Sequence, residues 1–199
     1  PPVLQGDRGY SKKGPEPGNA SYYYSIVQQQ AAGTITVGDE SYDVSGLTWK
    51  DHEYSTSALS PGTVGWDWFS LQLDDGSALM LYGLRLENGD IADVSSGKYI
   101  SADGKTQPIK HTDWQIDLLD AWRSPTSKTE YPSQWHIEIP KLELVLDGKS
   151  LMPNQELDLS TTRYWEGAVG FTGTKGEHSI GAKGYVEMTG YADRLDVVL

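Results

Sequence analysis

From Tyr22 onward, short stretches of alternating apolar and polar residues are broken by Gly, Asp and Asn, the pattern of sequential antiparallel strands. Tyr22 to Gln28, Gly33 to Val37 and Ser41 to Trp49 form a first group. In the second of these, Ile35 and Val37 alternate with Thr34 and Thr36, and Gly38-Asp39 supplies hairpin chemistry before Tyr42 and Val44. Val64 to Leu73 and Ala78 to Leu86 form a second group, joined across Asp74-Asp75-Gly76-Ser77. These two strands are apolar on both faces. Trp66 and Trp68 point one way while Phe69, Leu71 and Leu73 point the other; in the next strand Met80, Tyr82 and Leu84 oppose Leu79 and Leu81. Such strands need cover on both sides, from a barrel interior and from a second layer or domain. Further strands are predicted at Gln107 to Asp117, Gln134 to Leu146, Arg163 to Phe171 and Lys183 to Tyr191, with Pro140 confining its run to an edge or a bulge. Ile116 to Arg123 (IDLLDAWR) reads either as the end of a strand or as a helical turn. Roughly ten short strands with no amphipathic helix point to an all-β fold, a closed or nearly closed antiparallel β-barrel.

Residues 1–20 are dense in Gly, Pro and charge and carry no period, so they read as a linker or arm leaving something upstream, with the barrel domain at 21–199. A net charge of −12 repels phosphate backbones, and no basic cluster longer than Lys12-Lys13 offsets it, which argues against nucleic acid as a partner. No apolar run approaches the roughly 20 residues of a transmembrane helix. Zero cysteine removes disulfides and thiolate chemistry. His52, His111, His136 and His178 form no local ligand array, and there is no P-loop, dinucleotide fingerprint or Gly-x-Ser-x-Gly elbow, so the sequence implies neither a metal nor a cofactor. Seven Trp and twelve Tyr against two Phe leave most aromatic mass with a polar handle, which suits a mixed pocket as well as half-buried strand faces.

Three segments could carry chemistry. In Gly46-Leu-Thr-Trp-Lys-Asp-His-Glu-Tyr54, strand parity puts Trp49 and Asp51 on one face and His52 and Tyr54 on the other. A carboxyl group among apolar walls keeps its proton to higher pH, which makes it a candidate general acid. Asp67 lies between Trp66 and Trp68, whose indole faces stabilise cations; it serves either as a proton donor to an alkene or as a structural acceptor for backbone and indole donors. Glu166 follows Trp165 in a third segment and is either a second acid/base carboxylate or a salt-bridge partner of Arg163. With Tyr82 on the neighbouring strand, the aromatic and acidic residues outline a site for an apolar small molecule.

LQGDRGYSKKGPEPGNASYYYS, SGLTWKDHEYSTSALSPGTVGWDWFSLQLDDGSALMLYGLR, RYWEGAV and GYVEMTGY closely resemble blocks of the AttH-like proteins, often labelled predicted secreted hydrolases, and more loosely the carotenoid 1,2-hydratases. The resemblance implies a lipocalin-like barrel, the second of two in its family, so that the natural partner is an upstream lipocalin-like domain. It also implies a secreted or periplasmic location. The hydratases of this family add water to an isolated double bond of an acyclic carotenoid. By the family pattern the Asp-His pair corresponds to Asp51 and His52, and the aromatic two residues later to Tyr54, where the hydratases tend to have Trp. The expectation is therefore an isoprenoid, polyene or lipid ligand, with Asp51 or Asp67 as proton donor, His52 as its partner and Trp49, Tyr54, Trp66, Trp68, Tyr82, Trp165 and Glu166 around the ligand. The alternatives are a non-catalytic lipid carrier and an interaction domain.

Overall fold

The structure is a computed structural model that describes residues 1–55, 59–159 and 162–192. Its strands in chain order are β1 (Val3–Leu4), β2 (Tyr10–Lys12), β3 (Ala20–Val37), β4 (Glu40–Tyr54), β5 (Thr63–Leu73), β6 (Ala78–Leu86), β7 (Ser96–Ile100), β8 (Thr106–Lys110), β9 (Gln115–Arg123), β10 (Glu130–Ile139), β11 (Leu144–Ser150), β12 (Glu156–Asp158), β13 (Arg163–Lys175) and β14 (His178–Met188). They form two antiparallel sheets. The first joins β1, β3 and β2, with β4 alongside β3; the second runs β8-β7-β6-β5-β14-β13-β11-β10-β9, with β12 beside β13.

The outermost strands of that second order, β8 and β9, are consecutive in the chain and separated by one 3-10 turn at His111–Asp113. The sheet therefore curls back on itself as an open, lipocalin-like barrel. Lys141, in the turn that links β10 to β11, bridges the seam: its ammonium donates to the Pro108 carbonyl at 2.8 Å and to Asp113 Oδ2 at 2.5 Å. Pro140 opens that turn and ends β10, so the run Gln134 to Leu146, expected as one edge or bulged strand, is instead two paired strands, because the proline lacks the N–H that would continue the ladder. Ile116 to Arg123 lies within β9 and is extended throughout.

The inward face of the curled sheet is filled. Phe69, Leu71 and Leu73 of β5, Leu79 and Leu81 of β6, and Trp135, Ile137 and Ile139 of β10 meet Trp165, Phe171 and Val186 in one core. Trp135 sits against Phe69, Trp165 and Phe171 with ring centroids 5.9, 6.5 and 6.2 Å away. Gly148 is the register partner of Phe171, and a Cβ there would run into the Phe171 ring, so the close approach of β11 to the core requires glycine.

The outward face of β5 and β6 is covered as well, by the chain itself. Met80, Tyr82 and Leu84 pack with Tyr23, Trp49, Trp66 and Trp68, while Ala78 and Ile100 pack with Val3 and Val27. The first sheet is thus the second layer that the doubly apolar strands require, the former of the two covers, layer or domain, that the sequence left open. Residues 1–20, expected as an arm, contribute β1 and β2 to it, and Val3, Gln5 and Ser11 are buried. The hairpin of β3 and β4 turns at Gly38, whose φ of 60° is the left-handed value the turn demands. Its outer half, from Gln29 to Thr48, projects beyond the second sheet and is exposed along its whole length.

Candidate functional site

A cleft of about 1630 Å³ lies between the first sheet and the outer face of β5, β14 and β13. Strand pleat decides its lining. On β4, residues two apart bring Trp49, Asp51 and Glu53 to it; on β5, Trp66, Trp68, Ser70 and Gln72 form the facing wall. Register continues the wall across the sheet, because Trp68 pairs with Glu187 on β14 and Glu187 pairs with Glu166 on β13. Trp49 meets Trp68 edge to face at 6.3 Å, and Trp68 Nε1 donates to the Tyr23 hydroxyl at 3.2 Å, so indoles from both sheets converge beside the acids.

Asp51 is held by two neighbours. Ser25, its register partner on β3, donates its hydroxyl to Oδ1, and Trp49 Nε1 donates to Oδ2 at 3.0 Å. Ser25 is in turn fixed by Gln5, whose amide donates to Oγ at 2.9 Å, so a residue of the N-terminal segment sets the geometry of the acid. Water reaches Asp51 from the open side, yet the surrounding protein raises its pKa; the hydrogen bonds from Ser25, Trp49 and Tyr23 oppose that rise and Glu53 adds to it. Glu53 has a cation of its own: Lys13 Nζ is 2.5 Å from Oε1 and lies over the Tyr82 ring at 4.6 Å. Burial raises Glu166 too, and it pushes Glu187 up to about 7, with the Glu166 charge next in importance.

Of the residues singled out from sequence, Trp49, Asp51, Trp66, Trp68, Tyr82 and Glu166 line this cleft, and Tyr54 reaches its rim where β4 ends. Three others lie elsewhere. His52 is on the opposite face of the first sheet, stacked on Tyr24 at 5.2 Å and edge-on to Tyr54 at 5.6 Å. Trp165 is inside the barrel, its Nε1 donating to the Pro153 carbonyl at 2.7 Å. Asp67, although flanked in sequence by the two cleft indoles, points the other way: it faces Arg85 Nε at 3.4 Å and accepts from the Tyr191 hydroxyl at 3.1 Å. Burial lifts its pKa to about 6 against the pull of Arg85 and Tyr191. Sequence reasoning passed over Glu187, Glu53, Lys13, Ser25 and Tyr23. The first of these had a visible signal, a lone carboxylate in the apolar run Tyr185-Val-Glu-Met188.

Two predictions follow from these placements. His52→Ala should leave any turnover within about twofold, since the ring stacks on Tyr24 on the opposite face of the first sheet from the cleft; steady-state rates check it. Asp67→Asn should leave turnover per folded molecule unchanged within about threefold and should not lower stability above about pH 6, because burial outweighs Arg85 and makes the ionised carboxyl the less favoured form in the folded state. Chemical denaturation beside an activity assay checks both.

The chain matches known proteins along its length. The family model for AttH-like proteins covers residues 1–191. A crystal structure of an AttH protein from Nitrosomonas europaea is 36% identical with a TM-score of 0.86, covering 96% of this chain and 58% of that one. Kievitone hydratase from Nectria haematococca, 18% identical, shares the fold with a TM-score of 0.79 over 96% of this chain and 58% of its own. The dehydratase asqC of Emericella nidulans is 24% identical over 160 residues, which are 77% of this chain and 44% of the relative, so the chain spans less than half of that protein's length. With the family match running through both sheets and the cleft between them, the chain belongs to the AttH-like family.

Proposed function

We propose that the chain binds an apolar, unsaturated small molecule of isoprenoid, polyene or lipid type in the cleft and catalyses addition or removal of water on it, with Asp51 exchanging the proton of that water. The observation that carries the reading is the Asp51 carboxylate, anchored by Ser25 and Trp49 on the wall of an aromatic cleft that also raises its pKa. A carboxylate with a raised pKa is a stronger base than one in water. In hydration one alkene carbon gains a proton that solvent supplies through an acid of the cleft, and Asp51 takes a proton from the attacking water as its oxygen bonds to the other carbon. In dehydration Asp51 returns that proton to the departing hydroxyl while the neighbouring carbon loses its proton to the cleft acid and so to solvent. The π faces of the indoles that line the cleft, Trp49 and Trp68, suit the positive charge that develops on carbon between these states. One relative is named a dehydratase and one fold neighbour a hydratase, the two directions of a single reaction.

A partner fits the same reading. The relatives' chains are longer than this one, and the projecting half of the β3–β4 hairpin exposes Ile35, Val37, Tyr42, Val44 and Leu47. An upstream lipocalin-like domain packed there would bury these side chains and narrow the open side of the cleft.

The test is product analysis in oxygen-18 water with a panel of acyclic isoprenoids, polyenes and unsaturated fatty acids, alongside tryptophan-fluorescence titration. The expected result is saturable binding and a product that has gained one labelled water, or lost one from a hydroxylated analogue. Binding without any conversion across the panel overturns the reading in favour of a carrier.

A further inference from the structure

The wall opposite Asp51 carries two carboxylates in an arrangement that sheets ordinarily avoid. Glu166 and Glu187 are direct register partners on β13 and β14, which puts their Cβ atoms about 5 Å apart, and both line the cleft. Like charges directly opposite one another are destabilising. No ion pair of the described residues involves either one, and the cleft's lysine, Lys13, is engaged by Glu53. The remaining titratable groups around the pair are Tyr164 on β13, Lys183 and Tyr185 on β14, Tyr82 on β6, Tyr23 on β3, and Asp51 and Glu53 across the cleft on β4. Apart from the exposed Lys183 and the engaged Lys13, these are acids and phenols. Two adjacent carboxylates in such surroundings hold one proton between them near neutrality, as like charges at short range cannot both ionise.

We propose that Glu187, sharing a proton with Glu166, is the second catalytic group of the cleft: the acid that protonates the substrate carbon from the wall facing Asp51. This rests on the hydration reading above. In the hydrating direction the shared proton passes from Glu187 to one alkene carbon, whose π electrons form the new C–H bond. Water bonds to the other carbon, and Asp51 accepts the proton that this water loses. Solvent then returns a proton to the carboxylate pair and removes one from Asp51, so the cycle balances without any other reactant. A flat unsaturated chain lying between the two walls receives the proton from one side and the oxygen from the other, so water adds anti across the double bond.

Three measurements on wild type, Glu187→Gln and Glu166→Gln test this. Turnover should fall by about 10²-fold or more in Glu187→Gln, the usual share of one proton-transfer group. In Glu166→Gln the loss of rate at high pH should begin at lower pH than in wild type, because the like charge that holds the proton on Glu187 is gone. In heavy water the deuterium and the hydroxyl of the product should be anti. Thermal melts supply a readout that needs no substrate. A carboxyl with a raised pKa in the folded state contributes stability that is full below its unfolded pKa near 4.3 and is lost as pH rises through about 7. Glu187→Gln should therefore melt about 3–8 °C above wild type at pH 8 and close to it at pH 4.5.

Normal turnover in Glu187→Gln with an active wild type overturns the proposal and leaves hydration standing, and so does syn addition. If the wild type converts nothing, the hydration reading and the catalytic role of Glu187 fall together. A melting difference that does not change with pH removes the shared proton itself, whatever the activity shows.

Discussion

Asp51→Asn should abolish turnover of an apolar unsaturated substrate, by about 10²-fold or more, while leaving its affinity within about tenfold, or about 1.4 kcal/mol. The substitution keeps the side chain's shape and one oxygen that accepts from Ser25 or from Trp49 Nε1, so the cleft wall stays in place. What it loses is the capacity to take up a proton from water. Affinity survives because the ligand's apolar surface is buried against Trp49, Trp66, Trp68 and Tyr82, residues the substitution does not touch. Product analysis and tryptophan-fluorescence titration on both proteins measure the two quantities separately. A fall in affinity that matches the fall in rate would make Asp51 a binding group.

Trp135→Ala should cost about 3–5 kcal/mol of stability, the largest effect expected of any single truncation here. Trp135 is 1% exposed and stands at the centre of the barrel interior against Phe69, Trp165 and Phe171. These rings are held by strands β5, β13 and β10 of one continuous sheet, which cannot collapse inward without breaking register. The cavity therefore persists, and its unfilled volume adds to the lost transfer energy. At this chain length the cost corresponds to a fall in melting temperature of about 6–20 °C, readable by calorimetry. The same filled interior explains why the candidate site lies outside the curled sheet.

The sequence makes the longest strands of the first half legible from their patterns. The β3–β4 hairpin follows from its alternation and from Gly38, and β5 and β6 follow from their doubly apolar runs. β1 and β2, two and three residues long, have no room for a period, and so residues 1–20 read as a linker. IDLLDAWR stays ambiguous because Leu118 and Leu119 are both exposed on the outermost strand β9, which blurs the alternation that marks a strand. Two-sided apolarity announces that β5 and β6 are covered twice, but it does not reveal that the second cover comes from the same chain.

At the site, parity along a single strand is enough to place Trp49 with Asp51 and to set His52 apart from them. Adjacent residues are where the reading divides. Asp67 beside Trp66 and Trp68, or Trp165 beside Glu166, cannot share a face in an extended strand, and the sequence alone does not say which member of each pair meets the cleft. Glu187 is harder still. Its significance lies in standing opposite Glu166 and in line with Trp68, a consequence of register between strands that no local pattern encodes.

The proposed reacting site is the cleft between the sheets. A crystal structure of Asp51→Asn, blocked in turnover and soaked with an unsaturated ligand that the wild type converts, tests this most directly. The expected density lies in the cleft against Trp49 and Trp68, with the reacting double bond between residue 51 and Glu187. Density inside the curled sheet beside Trp135, or on the opposite face of the first sheet along Tyr24 and His52, would contradict it.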